Sequence, residues 1–365
     1  MPQAQPIVKC LVWDLDNTLW EGTLAEDGDV EVDDAVRAVV QGLDERGVLQ
    51  AVSSRNDHDL AWARLEELGL AEYFVLAHID WGPKSDSVRK IAERLNFAPA
   101  TIAFIDDMPS ERAEVGYHLP DVRRYPAELA PGLLDRPEFS PPVVTADSRR
   151  RRQMYQAGFE RDEQRERFEG ADEDFLRSLD IEMHIGRAAD EDITRVEELT
   201  RRTSQMNATG VHYSQQALRS LLNAADHDVL VISMADRFGA HGAVGVILIE
   251  KRPRVWRIRL LATSCRVVSF GAGTVLLRWL TDAAARGGVH LAADFRRTDR
   301  NRMMEVAYRF AGFGGGECDC LGALTVPEGT QCLHVEATRQ EPPTTMRVFA
   351  PKLDGGGGPA ALWRL

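Results

Sequence analysis

The chain has 365 residues, with 44 Lys and Arg against 57 Asp and Glu, a formal net charge of −13. At roughly 100–200 residues per domain, that length suggests two or three domains. A 44% hydrophobic share with 28% charged residues is ordinary for packed globular domains and excludes disordered and collagen-like chains. The net acidity argues against nucleic acid or an anionic membrane as partner, since both need a positive field.

The longest apolar stretches, 229–235 and 243–249, fall far short of the ~20 residues that cross a bilayer. The N-terminus, MPQAQPIVKCLVWDL, lacks the pattern of a signal peptide, so a cytoplasmic protein is expected. Five cysteines, Cys10, Cys265, Cys318, Cys320 and Cys332, make a poor disulfide framework. Cys318-x-Cys320 lacks the two-residue spacing and the second pair that a zinc site would want, and no zinc is expected there.

In chain order, residues 7–15 are β-branched and apolar and end in acidic residues, as a buried parallel strand does. A second strand ends at Ser54 and a third at Asp106, with amphipathic helices at 57–69 and 85–96 between them. That alternation predicts a doubly wound parallel α/β sheet over 1–146. The proline-rich 137–144 is a break, and 147–180, mixed in charge with a sparse apolar stripe at Met154, Tyr155 and Phe159, reads as a solvated helical connector.

A second α/β domain is expected over 181–350. It has helices at 190–203 and 214–225 and strands at 229–235, 242–251 and 254–263. A loop with Gly271 and Gly273 feeds a helix at 273–286, followed by a strand at 289–295, a helix at 299–311 and an apolar hairpin-like region to about 349. Residues 351–365, with glycines at 355–358, read as a flexible tail.

Asp14 and Asp16 stand where the first strand turns into a loop, and residues two apart on a strand share a face. Ser54, Lys84 and the Asp106-Asp107 pair recur at the ends of later elements, which in an open α/β sheet form one crevice. Their chemistry is complementary: a carboxylate can attack phosphorus, a second can serve as acid then base, and hydroxyl and ammonium groups can hold phosphoryl oxygens. A cluster of Asp14 and Asp106 would bind Mg2+, which favours hard oxygen ligands.

DLDNTLW (14–20), Ser54, Lys84 and FIDDMPSER (104–112) resemble the haloacid dehalogenase superfamily. The resemblance implies Asp14 as nucleophile and Asp16 as acid/base. It also implies Thr18, Ser54, Arg55, Asn56 and Lys84 around the phosphate, and Asp14, Asp16, Asp106 and Asp107 around the metal. The intervals between these motifs leave no room for a large cap domain. After residue 181, the strand, the loop Arg266 to Gly273 and the following helix look like the N-acetyltransferase (GNAT) fold. There, backbone N–H groups at a helix N-terminus bind the pyrophosphate of coenzyme A. Ser269 stands at the pattern's first glycine.

Taken in order, KCLVWDLDNTLWEG, SSRND, WGPKS, FIDDMPSER, RRTSQMNATG, DRFGAHGAVGV, SCRVVSFGAG and the stretch from Asn301 to Phe313 resemble the FkbH-like glyceryltransferase/phosphatase family over about residues 7–315. The implied reaction takes 1,3-bisphosphoglycerate, removes phosphate and passes the glyceryl unit through an enzyme thiol to the phosphopantetheine arm of an acyl carrier protein in polyketide assembly.

Cys265, beside Arg266 and before a helix, is the favoured thiol over Cys10, which lies inside the first strand. His212 and His241 are candidate bases, and Gln205 and Asn207 candidate contacts for the glyceryl unit or the carrier arm. The alternatives are a stand-alone phosphatase whose second domain positions substrate, and a carrier-docking module. Residues 1–146 hold 13 basic and 27 acidic side chains, whereas 250–310 hold 13 and 5, a positive stretch on which an acidic carrier could dock.

Overall fold

The computed structural model describes residues 6–203, 206–299, 301–354 and 359–364, without the side chains of Arg202 and Cys265. The chain divides into two compact units, Met1–Gln156 and Ala157–Leu365.

In the first unit, β1 (Cys10–Trp13), β2 (Leu49–Ser54), β3 (Phe74–Ile79), β4 (Ile102–Asp106) and β5 (Arg123–Pro126) form the expected parallel sheet, in the order β3-β2-β1-β4-β5. The connecting helices are α1 (Leu24–Asp27), α2 (Asp34–Glu45), α3 (His58–Glu67), α4 (Lys84–Leu95) and α5 (Pro109–His118). β1, β2 and β4 are buried along their whole length, which is why β1 and β4 up to Ile105 read as apolar runs rather than alternating ones. The strand order reverses beside β1, so the loops after β1 and β4 diverge and leave a crevice at their carboxyl ends. The one buried amide among these strands is satisfied: Gln50 accepts from the Trp13 indole at 3.1 Å and donates to the Val40 carbonyl at 2.8 Å.

After α6 (Ala146–Arg149), α7 (Arg151–Arg167) runs across the division between the units. Its first turns belong to the first unit, where Tyr155 meets Phe97 edge-on at 5.9 Å. The rest folds with the second unit together with α8 (Asp172–Ser178), whose Phe175 is buried in that unit's core along with Leu179. The expectation of a solvated connector over 147–180 is therefore corrected. The charged sequence hid a buried arginine: Arg161 donates to Asp236 Oδ2 at 2.6 Å and stacks over Phe238 and Phe270.

The second unit comprises β6 (Ile181–Arg187), α9 (Ile193–Arg202), α10 (Gln215–Leu222), β7 (His227–Asp236), β8 (Gly239–Lys251), β9 (Val255–Thr263), α11 (Ala272–Arg286), β10 (His290–Phe295), α12 (Arg302–Phe310), β11 (Gln331–Val335), β12 (Met346–Ala350) and β13 (Ala361–Leu362). β6 to β9 make an antiparallel meander, α11 crosses over to bring β10 parallel to β9, and β11 closes that side antiparallel to β10. The predicted terminal hairpin does not form. β11 pairs with β10, whereas β12 pairs with β6 on the other side of the meander, because each covers a different exposed edge.

Nor do residues 351–365 form a free tail throughout. β13 pairs with β12, Leu353 and Trp363 are buried, and the Trp363 indole donates to Asp282 at 3.0 Å. The glycines at 355–358 lie outside the described residues. Among the described residues, no helix is long and apolar enough to cross a membrane.

Burial works against the Asp236 carboxylate, but hydrogen bonds from His241 and Arg161 outweigh it and hold its pKa down at about 2. A depressed carboxylate contributes stability above its unfolded value and loses it as the pH falls. Asp236→Ala leaves the Arg161 guanidinium buried without its partner. It is expected to lower the unfolding free energy of the second unit by about 3–5 kcal/mol at neutral pH. In denaturant titrations that deficit should shrink as the pH falls from about 4 towards about 2.

Candidate active site

The crevice of the first unit is built around one ammonium. Lys84 opens α4, and its Nζ, 2% exposed, donates to the Asp14 carboxylate and to the Ser53 carbonyl at 2.6 Å. Asp106 and Glu111 carboxylates lie 3.5 and 3.3 Å from the same nitrogen. Asp14 follows β1, and its backbone N–H donates to the Ile105 carbonyl at 3.0 Å. That bond fixes the β1 loop against β4, whose last residue is Asp106. Asn17, at φ 53, takes the left-handed conformation that turns the chain back after Asp16, and asparagine tolerates it better than most residues.

Asp14, Asp106 and Asp107 offer carboxylate oxygens that all lie within 4.8 Å of one another. With Glu111 there are four carboxylates, against the Lys84 ammonium and the half-exposed Arg55, which pairs with Glu111 at 2.9 Å. Two negative charges are left over, which is what one divalent cation neutralises. Asp106 Oδ1 accepts from the Met108 N–H at 2.7 Å, while the buried Oδ2 accepts no hydrogen bond. An orphaned carboxylate oxygen in an oxygen-only donor set fits a hard cation such as Mg2+.

The protonation equilibria report the same excess of charge. Burial, reinforced by the neighbouring Asp14 charge, pushes the Asp106 pKa up to about 7. Burial also raises Asp14, although Lys84 opposes it. For Lys84, burial disfavours the ammonium, but the Asp14 and Asp106 charges overcome it and the pKa rises.

Asp16 belongs to the site, but its carboxylate lies outside the cluster formed by those of Asp14, Asp106 and Asp107. Its Oδ1 accepts from the Trp20 indole at 2.8 Å and the Leu24 N–H at 3.1 Å, and its Oδ2 accepts from Asn56 at 3.1 Å. Two donors to Oδ1 fill that oxygen, and one to Oδ2 leaves room for a proton. Thr18 accepts from the Asp107 N–H at 3.0 Å and reaches Asp14 Oδ2 at 3.5 Å, tying the two loops together. Ser54 is buried at the end of β2.

Glu111 was not foreseen. It falls within the FIDDMPSER motif, in the first turn of α5 and five positions after Asp106. A cleft of about 580 Å3 opens beside Thr18 and Asp107, lined further by Asn17, Trp20, Glu128 and Pro131.

In the second unit, Cys265 begins a 3-10 turn, Cys265–Phe270, whose cap Ser264 accepts from the Arg266 N–H. Gly271 ends it at φ 71, a left-handed conformation that favours glycine, and α11 starts at the next residue. A Cβ at Gly271 or Gly273 would meet nothing within 4 Å, so the backbone entering α11 faces open space. His241 is not positioned as a free base: it pairs with Asp236 at 3.1 Å and packs edge-on against Phe270 at 5.3 Å. His212 is tied through Nδ1 to the Thr200 carbonyl at 2.6 Å.

Asn207 is fully buried and spent on its own loop. It accepts from the N–H groups of Thr209 and Gly210 and donates to the Val211 carbonyl, so it makes no open contact for a substrate. Gln205 lies outside the described residues, as does the Cys265 side chain. Cys10 is excluded as an acyl carrier: it is fully buried in β1 and burial raises its thiol pKa. Several of the basic side chains over 250–310 are held in ion pairs. Arg257 is buried in a two-pronged pair with Asp294, and Lys251, Arg252 and Arg286 pair with Asp228, Glu250 and Asp282.

The first unit is a five-stranded parallel α/β domain with an acid and lysine cluster at its crevice, similar to haloacid dehalogenase-like hydrolases, and the second unit is an α/β domain on a mixed eight-stranded sheet. Residues 23–111 match the family model for haloacid dehalogenase-like hydrolases. Among solved structures, the chain is similar to the N-terminal part of a Bacteroides fragilis protein, containing a phosphatase domain complexed with Mg. The identity is 30%, over 36% of this chain and 39% of that chain, at a TM-score of 0.33. The chain thus spans less than half of that relative's length.

It is also similar to 3-deoxy-D-manno-octulosonate 8-phosphate phosphatase from Moraxella catarrhalis, solved with magnesium and phosphate ions and its sugar acid. That match has 18% identity, covers 27% of this chain and 57% of that one, and has a TM-score of 0.23. A third similarity is to an Escherichia coli ribosomal-protein alanine N-acetyltransferase, at 14% identity, over 43% of this chain and 94% of that one, with a TM-score of 0.32. No curated protein matches the chain.

Replacing Asp106 with Ala should weaken Mg2+ binding, read by calorimetry, by more than the ~10–100-fold typical of losing an outer-shell partner. In the intact protein Mg2+ competes with the proton that Asp106 holds up to about pH 7, so its affinity should rise between about pH 6 and about pH 8. A pH-independent affinity would contradict this.

Proposed function

We propose that the protein is a cytoplasmic, Mg2+-dependent glyceryl transferase and phosphatase. It takes 1,3-bisphosphoglycerate, removes phosphate and loads the three-carbon unit, by way of Cys265, onto the phosphopantetheine thiol of an acyl carrier protein in polyketide assembly. The observation that supports the reading most is the buried carboxylate cluster around Lys84, carried on one chain with a GNAT-like unit in the motif order of the FkbH-like family. Exposed apolar side chains flank the cluster in sequence, Trp81 at 74% and Met108 at 48%, and suit a protein-borne substrate arm.

Acyl transfer is a thiolate attack on the C1 carbonyl that breaks the bond to the C1 phosphate, releases inorganic phosphate and forms a thioester. A second thiol, that of the carrier, then takes the acyl group. The C3 phosphate is removed in the first unit. Lys84 occupies Asp14 Oδ1, which leaves Oδ2 to attack phosphorus, and the bond from phosphorus to the C3 oxygen breaks. The leaving oxygen takes its proton from Asp16 Oδ2, and the same oxygen accepts the proton of the water that then releases phosphate from Asp14. Asp14, Asp106 and Asp107 would hold Mg2+, which lowers the repulsion between carboxylates and phosphoryl oxygens.

Incubation with 1,3-bisphosphoglycerate, Mg2+ and holo carrier protein should give a carrier heavier by one glyceryl group in intact-protein mass spectrometry. Asp14→Asn should slow C3 phosphate release at least about a thousandfold, leaving a phosphoglyceryl adduct, and Cys265→Ala should remove the acyl-enzyme. No mass gain from folded enzyme, together with rapid hydrolysis of small phosphomonoesters, would instead establish a stand-alone phosphatase.

A further inference from the structure

Four metal-binding side chains converge at the β11 side of the second unit's sheet. The antiparallel register sets Ala292 of β10 opposite His334 of β11, so His290, two residues earlier, shares a face with His334 as its diagonal neighbour. Their rings are 5.1 Å apart between centroids, and His290 Nδ1 lies 3.0 Å from His334 Nε2. Cys318 and Cys320, at the start of the short turn Asp319–Ala323, reach the same point. Cys318 Sγ is 3.4 Å from His290 Nδ1, and Cys320 Sγ is 3.4 Å from His334 Nε2. All four ligand atoms lie within 4.8 Å of one another.

We propose that these residues form a structural zinc(II) site. Bonds of ~2.3 Å to sulfur and ~2.0–2.1 Å to nitrogen, set tetrahedrally, place ligand atoms about 3.3–3.8 Å apart, close to the separations already present. Two sulfur and two nitrogen donors select zinc over hard cations, which take oxygen. Both cysteines are free thiols. On binding, each loses its proton, and the two thiolates balance the charge of the ion. Four protein ligands complete the coordination and leave no position for substrate, so the site holds structure together.

The sequence pattern gives no zinc signal here for a plain reason. The cysteine pair lacks a second cysteine pair, but two histidines from neighbouring strands, 28 and 14 positions from their cysteines, take its place. The site also has a structural task. The segment between α12 and β11 rests on a small apolar cluster of Val255, Ala292 and Cys320, with Cys318, Leu321, Leu324 and Cys332 partly buried against it. A tetrahedral ion would fasten this turn to both β10 and β11.

Full-length protein purified without added metal should contain about one zinc per chain by elemental analysis. Cys332→Ser, which removes a nearby thiol outside the cluster, should retain it, whereas Cys318→Ser and Cys320→Ser should lose it. Cobalt(II) exchanged into the unsubstituted protein should give thiolate charge-transfer and tetrahedral d–d absorption, a readout that does not depend on the variants folding. The proposal is overturned if the folded protein holds no zinc and takes up neither zinc nor cobalt, or if the metal and its spectrum survive both ligand substitutions.

Discussion

Burying an ammonium costs several kcal/mol unless carboxylates surround it, and Lys84 is buried among more carboxylates than it can balance. The active crevice follows from that imbalance. α4 starts at Lys84, so the helix must begin where its side chain can reach the ends of β1, β2 and β4. The sheet order must put those three ends side by side, which β3-β2-β1-β4-β5 does. What remains is a negative cavity with an orphaned Asp106 oxygen, raised in pKa until a cation arrives. A phosphate dianion can enter only with a divalent partner, so metal and substrate requirements share one electrostatic origin.

The second unit spends its buried polar groups differently. Asn207 and Asn301 spend their side chains on neighbouring loop groups: Asn207 accepts from the N–H groups of Thr209 and Gly210 and from the Thr209 hydroxyl, and Asn301 holds the carbonyls of Asn207, Ala208 and Arg296 together. Arg161, Asp236 and His241 form a buried support against Phe270, the last residue of the 3-10 turn that Cys265 opens. These contacts set loop shape and leave the backbone entering α11 at Gly271 open.

Much of this was legible in the sequence because it is local. Buried strand segments such as 10–13 and 102–105 are apolar throughout, and acids at their ends mark the crevice. Glu111 was missed because a helical glutamate looks solvated until the partner, Lys84, is placed 27 positions away. The burial of Arg161 was hidden in a run of mixed charge, and the separate fates of β11 and β12 depend on which sheet edges are open. The four residues of the zinc site come from β10, a turn and β11, and only the strand register unites them. Periodicity records which face of an element is buried, but not what covers it.

The central claim is that Asp14 is the phosphoryl-accepting group of the first unit. Acid-quenched turnover mixtures, digested and mapped by mass spectrometry, test it most directly. The account predicts a phosphate on Asp14 in the peptide carrying β1, formed only with Mg2+ present and absent from Asp14→Asn. Phosphate release that proceeds in Asp14→Asn, or a phosphate carried by a different residue, would contradict it.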